Sequence, residues 1–286
     1  MTPDLAASVH ARLSARARKQ EEIFQDVLTR YGLERFLYRL SVTPAREQLC
    51  LKGALLFGLW FDVPHRPTRD ADFLGLGPAD SAALAALVRH ACTIEVADGM
   101  VYDPDSVNVR EIRDEARYGG LRVSLHGTLG KSRCPVQLDV GYGDAVSPGP
   151  EEASYPTLLD DMPAPRLRVY PRETVVAEKL EAIATLGMGN SRMKDYFDLR
   201  ALATEDAIDP KTLGVAIRIT FARRGTPLPA GLPLGLSDAF AIDKLKQTQW
   251  NAFLSKNRLH APPLEVVVSE VRSFLETPLI AARRGH

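Results

Sequence analysis

The chain has 286 residues, 45% of them hydrophobic, which is enough for one large domain or two modest domains with apolar cores. Its 36 basic and 36 acidic residues cancel, so no overall field directs it toward nucleic acid or a membrane surface. Three scattered cysteines argue against a disulfide framework, the apolar runs are too short to span a bilayer, and Asp4 falls where a signal peptide has its apolar core. We therefore expect a cytoplasmic globular protein with no membrane partner.

The first half of the chain is predicted to contain a helical segment followed by a sheet. Apolar residues recur at helical spacing from Asp4 to about Leu40, which indicates an N-terminal helical cap. Gly119 and Gly120 separate two later strand-like runs and favour an antiparallel extension of the sheet. The elements predicted after the cap are strands at 48–52 and 71–76, a helix beginning within 53–60, a helix at Ser81–Cys92, and strands at 107–112, 121–125 and 136–140.

The second half of the chain is predicted to be helical. A stretch rich in Pro, Gly and acidic residues, from Asp144 to Pro171, indicates a long connection or a domain boundary. Helical signals follow from Glu173 onward. The predicted helices cover Ala177–Leu186, Met193–Ala203, Pro210–Ala222, Asp238–Leu254 and Leu264–Leu275. The two halves together predict a mixed α+β fold.

Two aspartates on one predicted strand are the first candidate site residues. Asp70 and Asp72 stand at positions i and i+2, so their carboxylates project from the same face of the strand and repel each other. A divalent cation between them removes this repulsion, and Mg²⁺ accepts carboxylate oxygens while keeping positions open for phosphate. A solvated acidic strand end is the plainer interpretation of this pair when it is taken by itself.

Two further segments supply groups that such a site requires. In Lys52-Gly53-Ala54 a strand ends at a glycine before a helix N-terminus, an arrangement that suits a triphosphate but also occurs in ordinary tight turns. Asp139 lies on a strand with one apolar face and would join the aspartate pair if the two strands were neighbours, giving three acids able to hold two metal ions. The sequence alone does not establish that neighbourhood, and a plain strand-end aspartate is the alternative.

Charged residues in the helical half form a second candidate group. Lys179 lies close to the apolar stripe of its helix, where a lysine commonly extends its ammonium toward solvent. Asp195 and Asp198 occupy adjoining positions on one face of the helix that follows Asn190. Either aspartate can be an ordinary ion-pair partner, and the apolar neighbours of Asp198 favour a structural role for it.

Several ordered sequence blocks resemble the AbiEii family of nucleotidyltransferase toxins, within the wider polymerase-beta-like nucleotidyltransferase superfamily. They run from about Leu51 to Leu202 in the family's order, which is more specific than any single block. The blocks are LKGALLFGLW, HRPTRDADFLG, YGGLRVSLHGTLG, VQLDVGYGD, YPTLL, YPRETVVAEKLEAI and NSRMKDYFDL. The resemblance implies an N-terminal helical cap at 1–50, a nucleotidyltransferase core sheet with flanking helices at 51–165, and a helical lobe at 166–286 that completes the active-site cleft.

The resemblance also implies roles for individual residues. The implied catalytic residues are Asp70, Asp72, Asp139, Lys179 and Asp195, of which the first three match the metal ligands. The implied nucleotide-binding residues are Lys52, Gly53, Ala54, Arg69 and Lys179. Many relatives have Gly-Gly or Gly-Ser where this chain has Gly53-Ala54, so a hydroxyl contact to phosphate is absent here and backbone N–H groups would take its place.

The activity implied by the resemblance is transfer of a nucleoside monophosphate from a nucleoside triphosphate (NTP) to an acceptor hydroxyl. Pyrophosphate leaves, and Mg²⁺ or Mn²⁺ is the cofactor. In characterised relatives the acceptor is the 3′ end of tRNA and a cognate antitoxin restrains the toxin, so we expect NTP, tRNA and an antitoxin as partners. Basic clusters at Arg12–Lys19, Arg218–Arg224 and Arg283–Arg284 could supply an RNA-binding surface. The alternatives are a small-molecule or protein acceptor, or a nucleotide-binding module that has lost turnover.

Overall fold

A computed structural model of the chain describes residues 3–61, 66–113, 119–204 and 208–284. His65 and Tyr118, each the first residue of a sequence block, lie outside the described residues. The chain divides into two compact units. The first comprises Met1–Gly143 with Glu151–Val169, and the second comprises Asp144–Pro150 with Tyr170–His286.

The first unit combines helices with a mixed sheet. Its helices are α1 (Pro3–Lys19), α2 (Phe24–Ser41), α3 (Ala45–Gln48), α4 (Phe57–Trp60) and α5 (Ser81–Cys92). Its strands are β1 (Leu49–Lys52), β2 (Ala71–Gly75), β3 (Met100–Arg113), β4 (Gly119–Leu129), β5 (Ser132–Tyr142), β6 (Glu151–Ser154) and β7 (Arg166–Val169). These described strands form one sheet in the order β3-β4-β5-β2-β1-β7-β6, in which β2–β5 and β1–β7 pair in parallel. The predicted mixed α+β class is confirmed.

Helix α2 packs against the sheet at β5, and the alternation of residues in β5 explains which face it covers. Every second residue from Cys134 to Val140 is buried, while the residues between them are more exposed, as expected of a strand with one face in the core. The Cys134 thiol donates a hydrogen bond to the carbonyl of Leu28 in α2 at 3.4 Å. A Cβ at Gly32 of α2 would lie 2.0 Å from the same sulfur, so the helix approaches the sheet closely here. Asp139 lies on the opposite face of β5.

The strand β3 begins earlier than predicted, and two further strands lie where the sequence predicts a connection. Strand β3 begins at Met100, well before the predicted start at residue 107, because a register shift between Asp103 and Asn108 interrupts the apolar alternation. The connection predicted from Asp144 to Pro171 contains β6 and β7. Each has only four residues: β6 is mostly polar, and in β7 the two buried apolar residues, Leu167 and Val169, alternate with arginines over too short a run to identify a strand.

The second unit is built from helices. They are α6 (Arg172–Leu186), α7 (Met193–Ala203), α8 (Pro210–Arg223), α9 (Asp238–Ala241), α10 (Lys244–Asn257) and α11 (Leu264–Arg284). The buried residues of α11, from Leu264 to Ala282, recur at helical spacing, which is the stripe expected of a helix packed on its neighbours. Gly214 allows α8 to approach α11, because a Cβ there would lie 2.8 Å from that of Ala281.

The single helix predicted at Asp238–Leu254 is divided in the structure. Helix α9 ends at Ala241, and α10 begins after Asp243. The Asp243 carboxylate accepts a hydrogen bond from the backbone N–H of Lys246 at 3.0 Å, so it acts as the N-cap of α10. The apolar pattern continues through this cap, which is why the pattern alone predicts one helix.

Candidate active site

Four charged side chains form one cross-strand row on the sheet of the first unit. The register places Lys52 of β1 opposite Asp72 of β2, and Asp72 opposite Asp139 of β5. On the far side of Asp139 stands Arg122 of β4. Residues opposite each other in a sheet project from the same face. The row therefore holds two carboxylates side by side between two cations, which establishes the neighbourhood of Asp72 and Asp139 that the sequence left open.

Arg122 and Asp139 form a two-pronged ion pair within this row. The guanidinium donates from Nε to Oδ1 at 2.7 Å and from Nη2 to Oδ2 at 2.5 Å. These hydrogen bonds raise the pKa of Arg122 above its ordinary value, against the opposing effect of burial. The negative charges of Asp70 and Asp72 add to the increase, so three carboxylates act on one guanidinium.

Gly53 is the residue against which the Asp72 carboxylate packs. It follows β1 at the start of the 3₁₀ turn Gly53–Leu56 and has a φ of +75°. A Cβ at this position would meet three atoms of the Asp72 side chain at less than 3 Å. Both the backbone conformation and the carboxylate therefore exclude an ordinary side chain here. The absence of a side chain at Gly53 thus leaves the space that the Asp72 carboxylate occupies.

The Lys52 side chain reaches across β2 toward β5. Its Nζ atom lies 3.8 Å from the place that a Cβ at Gly141 would occupy. Gly141 is two residues after Asp139 and shares its face of the strand. The Lys52 ammonium therefore lies close to the carboxylate row. Ala54 follows Gly53 in the turn and is half-buried.

Asp70 and Arg69 precede β2 and have different surroundings. Oδ1 of Asp70 accepts a hydrogen bond from the Thr68 hydroxyl at 2.8 Å, which orients this carboxylate at the start of the strand. The Arg69 side chain is 80% exposed and pairs with Asp26 of α2 at 3.2 Å. A surface pair of this kind contributes little to stability, so Arg69 can exchange its partner at small cost.

The chemistry of the carboxylates fits a divalent cation. Carboxylate oxygens are the hard ligands that Mg²⁺ and Mn²⁺ prefer, and Asp70, Asp72 and Asp139 already act together on the Arg122 cation. Within the described residues, however, no three His, Cys, Asp or Glu side chains are grouped closely enough to hold a metal ion. Both oxygens of Asp139 are bonded to Arg122. Asp70 and Asp72 are therefore the residues that could hold an ion, and Asp139 would have to leave Arg122 to join them.

The second unit contains a buried charge cluster centred on Lys179. Its ammonium, on α6, donates to Asp195 Oδ1 and to Asp198 Oδ2 of α7, each at 2.8 Å. Both carboxylates are 0% exposed, and the Lys179 side chain is 11% exposed. Buried charges must be paired, so these three groups depend on one another. The lysine is anchored by two carboxylates and does not simply extend into solvent, and Asp198 is a buried ion-pair partner within the fold, in keeping with the structural role that its apolar neighbours favour.

Arg192 supplies the second cation on Asp195. Its Nε donates to Oδ2 of Asp195 at 2.6 Å, while the backbone N–H of Arg192 donates to the Asn190 side chain at 2.8 Å. Burial raises the pKa of Asp195, but the charges of Lys179 and Arg192 and their hydrogen bonds outweigh it, so the pKa lies below its ordinary value. The two cations therefore favour the charged form of Asp195.

Two members of the predicted basic clusters are engaged in ion pairs. Arg224 pairs with Asp144 at 3.1 Å, with Glu178 at 3.3 Å and with Glu181 at 3.0 Å. Burial lowers the pKa of Arg224, but these acids raise it further, so the net shift is upward. Arg12 makes a two-pronged pair with Asp161. These two arginines stabilise their own units, and an RNA surface would have to use other members of the clusters.

A family profile matches residues 35–277 of the chain, and the family is described as "Nucleotidyl transferase AbiEii toxin, Type IV TA system". The match spans well over half of the chain. The chain belongs to the AbiEii family. It is therefore a nucleotidyltransferase-family toxin of a toxin–antitoxin system, and the resemblance of the sequence blocks is confirmed.

Solved structures of two other proteins share the fold of this AbiEii chain. JHP933 from Helicobacter pylori is 17% identical, with 91% of this chain and 94% of that chain covered and a TM-score of 0.50. MenT4, nucleotidyltransferase toxin Rv2826c from Mycobacterium tuberculosis H37Rv, is 16% identical, with 97% and 89% covered and a TM-score of 0.58. At these identities the likeness shows the fold alone. No curated protein matches by sequence.

Sequence reasoning overlooks two arginines of the AbiEii chain that the structure places on candidate site residues. Arg122 stands between buried apolar residues of β4, on the face of Asp139, but only strand register connects the two. Arg192 precedes Asp195 by three residues, a spacing that brings side chains together at the start of a helix and could have been recognised.

Among the described helices, none is sufficiently long and apolar to cross a membrane.

Proposed function

We propose that this chain is a cytoplasmic toxin that transfers a nucleoside monophosphate from an NTP to the 3′ end of tRNA, and that a cognate antitoxin restrains it. The observation that carries the proposal is the row in which Asp72 and Asp139 lie side by side, with Gly53 packed against Asp72. Paired carboxylates beside a glycine turn and a lysine are the groups that metal-assisted phosphoryl chemistry requires. Membership of the AbiEii family supports the same chemistry.

The reaction follows from what each residue can do. Asp70 and Asp72, with Asp139, would hold Mg²⁺ or Mn²⁺, which when bound acts as a Lewis acid at the α-phosphate and the attacking hydroxyl. The acceptor oxygen forms a bond to the α-phosphorus, and the bond from that phosphorus to the bridging oxygen breaks. Pyrophosphate leaves with the electron pair, and a carboxylate such as Asp139 or a water takes the hydroxyl proton.

The residues after β1 would bind the triphosphate. The Lys52 ammonium lies beside the carboxylate row and would offset the negative charge that develops on the phosphates. Backbone N–H groups of the turn that begins at Gly53 would contact phosphate oxygens, because Ala54 has no hydroxyl to offer. Arg69 would join them by leaving its exposed pair with Asp26.

The second unit contributes Lys179 in this proposal. The resemblance of the sequence blocks implies a contact between this lysine and the nucleotide, and the two buried carboxylates on α7 support the proposal by holding its ammonium in one place. Asp195 would be essential because it fixes Lys179 and Arg192 together. A lysine held this way enters the reaction without further loss of side-chain entropy.

The test is a transfer assay with tRNA as acceptor. Purified protein is incubated with Mg²⁺ or Mn²⁺, each α-labelled NTP in turn, and total tRNA, and the products are resolved by size. Wild type should label RNA, and Asp72→Ala should reduce the rate by about a hundredfold or more because a metal ligand is lost. Asp105→Ala is the matched control, since Asp105 is an exposed carboxylate on β3.

Each alternative gives its own result in the same assay. Label in a protein or small-molecule fraction, with pyrophosphate released, would keep the chemistry and overturn tRNA as the acceptor. Nucleotide binding without any pyrophosphate release would indicate a module that has lost turnover. Equal loss in Asp72→Ala and Asp105→Ala would contradict the assignment of the carboxylate row.

A further inference from the structure

Arg122 occupies the coordination positions that Asp139 would give to a metal ion. Both carboxylate oxygens accept hydrogen bonds from the guanidinium, at 2.7 and 2.5 Å. A two-pronged contact between Arg and a carboxylate is among the strongest charge-assisted hydrogen bonds, and it fixes the orientation of both groups. While this contact persists, Asp139 cannot turn an oxygen toward Asp72 without breaking a hydrogen bond.

The surroundings of the pair make it a defined structural state. The side chains of Arg122 and Asp139 are 28% and 15% exposed, so water screens them less than it screens a surface pair. Both sit on central strands of the sheet, where cross-strand register sets their separation. Among the described residues, the carboxylates do not form a metal-binding group of three.

Arg122 lies in the electrostatic field of the same carboxylates that would bind a divalent cation. The negative charges of Asp139, Asp70 and Asp72 stabilise its guanidinium, and these three carboxylates would also bind a divalent cation. Two cations close to one carboxylate repel each other, so binding of the metal to Asp139 and retention of the Arg122 contact oppose each other.

We propose that Arg122 is an internal counter-cation that positions Asp139 and competes with the divalent metal for it. This inference rests on the proposed function, because it assumes that the carboxylate row holds a metal. It adds that the row is completed only when Asp139 exchanges Arg122 for the ion. Arg122 therefore sets the metal concentration at which the three carboxylates bind the ion together. Before the ion binds, its positive charge offsets the repulsion between Asp72 and Asp139.

The test measures Mn²⁺ binding by electron paramagnetic resonance, without nucleotide and independently of turnover. Arg122→Gln should bind Mn²⁺ about tenfold more tightly than wild type, because a charge-assisted two-pronged contact no longer competes. Arg110→Gln is the matched control, since Arg110 is exposed and lies directly opposite Arg122 on β3. It removes the same charge one strand farther from Asp139 and should change the affinity much less.

A second pair of variants separates competition at Asp139 from a general effect of charge. With Asp139→Asn already present, adding Arg122→Gln should leave Mn²⁺ affinity almost unchanged, because the contested carboxylate is gone. Arg122→Lys retains the positive charge but cannot make the bidentate contact with Asp139. Its affinity for Mn²⁺ should therefore fall between those of wild type and Arg122→Gln. If Arg122→Gln is poorly folded, Arg122→Lys carries the same comparison. A full increase that persists beside Asp139→Asn would overturn the proposal.

The same titrations distinguish failure of this inference from failure of the proposed function. Mn²⁺ binding that is lost in Asp72→Ala but is no tighter in Arg122→Gln overturns the role of Arg122 and leaves the metal site intact. Absence of Mn²⁺ binding in wild type and in Arg122→Gln overturns both. Binding seen only after Arg122 is replaced supports the competition in its strongest form.

Discussion

Gly53 and Asp72 lie so close together that a Cβ at position 53 would be 2.1 Å from Oδ2 of the carboxylate. Atoms never approach this closely without bonding, so either the turn or the carboxylate would have to move. In the proposed reaction the turn at Gly53 binds the phosphates and the Asp72 carboxylate binds the metal. The contact between Gly53 and Asp72 sets the position of one group relative to the other. Adding a Cβ at position 53 would therefore disturb both the turn and the carboxylate.

We expect Gly53→Ala to reduce transfer by about a hundredfold, because the added methyl displaces the Asp72 carboxylate from its place. The positive φ adds strain that destabilises the fold by about 1 kcal/mol or more. Initial rates at saturating Mg²⁺ and urea unfolding measure the two effects separately. Gly119→Ala is the control, since a Cβ at Gly119 would meet nothing within 4 Å. Near-normal transfer by Gly53→Ala would show that Asp72 need not stay where the structure has it.

Lys52 offers a second test of the row. Lys52→Gln removes the ammonium that lies over Gly141 but keeps a side chain of similar reach. If the lysine binds the triphosphate in the ground state, KM for NTP should rise by about tenfold while kcat changes little. A fall in kcat at constant KM would instead place the charge of Lys52 on the transition state. Equal values of both constants in wild type and variant would exclude Lys52 from the site.

The elements of the fold could be predicted from the sequence wherever periodicity was strong. Helices α5 and α7 have the predicted bounds, since Ser81–Cys92 and Met193–Ala203 each carry a clear apolar stripe. The strands β6 and β7 could not be predicted, because each has only four residues and lies in a stretch rich in Pro, Gly and acidic residues; β6 at the sheet edge is mostly polar, and β7 between β1 and β6 has only two apolar residues.

The candidate site could be predicted only in part, because side-chain types are visible in the sequence and strand pairing is not. Asp72 and Asp139 were identifiable as acids on strands; Asp70 was expected on the same strand as Asp72, but β2 begins at Ala71 and Asp70 lies in the bend before it. That Asp72 stands opposite Asp139 follows from the parallel pairing of β2 with β5, two strands far apart along the chain. Arg122 enters the site through the same register, so no local motif could have identified it.

Glu34 should make the stability of the protein depend on pH. It is buried on α2, where its Oε2 accepts from the backbone N–H of Leu158 at 2.6 Å and Oε1 pairs with Arg35 at 2.9 Å. Burial raises the pKa of Glu34 to about 7, although the Arg35 charge and the Leu158 N–H oppose the increase. A folded-state pKa above the unfolded value of 4.5 favours folding at low pH, and this contribution is lost as pH rises through about 7.

Urea unfolding of wild type and Glu34→Gln at pH 5 and pH 8 measures this contribution. Between the two pH values wild type should lose about 2–3 kcal/mol more than the variant, since other titrating groups contribute equally to both. Parallel losses would show that the carboxyl group of Glu34 has the same pKa in the folded and unfolded chain.

Lys179 is predicted to stabilise the second unit as well as to serve the reaction. Lys179→Met leaves Asp198 buried without this cation, and breaking a buried ion pair from one side costs about 3–5 kcal/mol. Arg200→Met is the control on α7, because Arg200 pairs with Glu270 at a partly exposed site where such a pair contributes about 1 kcal/mol or less. Urea unfolding should rank wild type, Arg200→Met and Lys179→Met in that order.

The double variant Lys179→Met/Asp198→Asn separates the two roles of the lysine. Removing the negative charge of Asp198 together with its cation should restore a large part of the lost stability, because the remaining Asp195 keeps its contact with Arg192. If Lys179 contacts the nucleotide as proposed, transfer activity should stay low in this double variant. Recovery of activity along with stability would mean that Lys179 acts only through the fold, whereas stable protein without activity would assign it to the nucleotide.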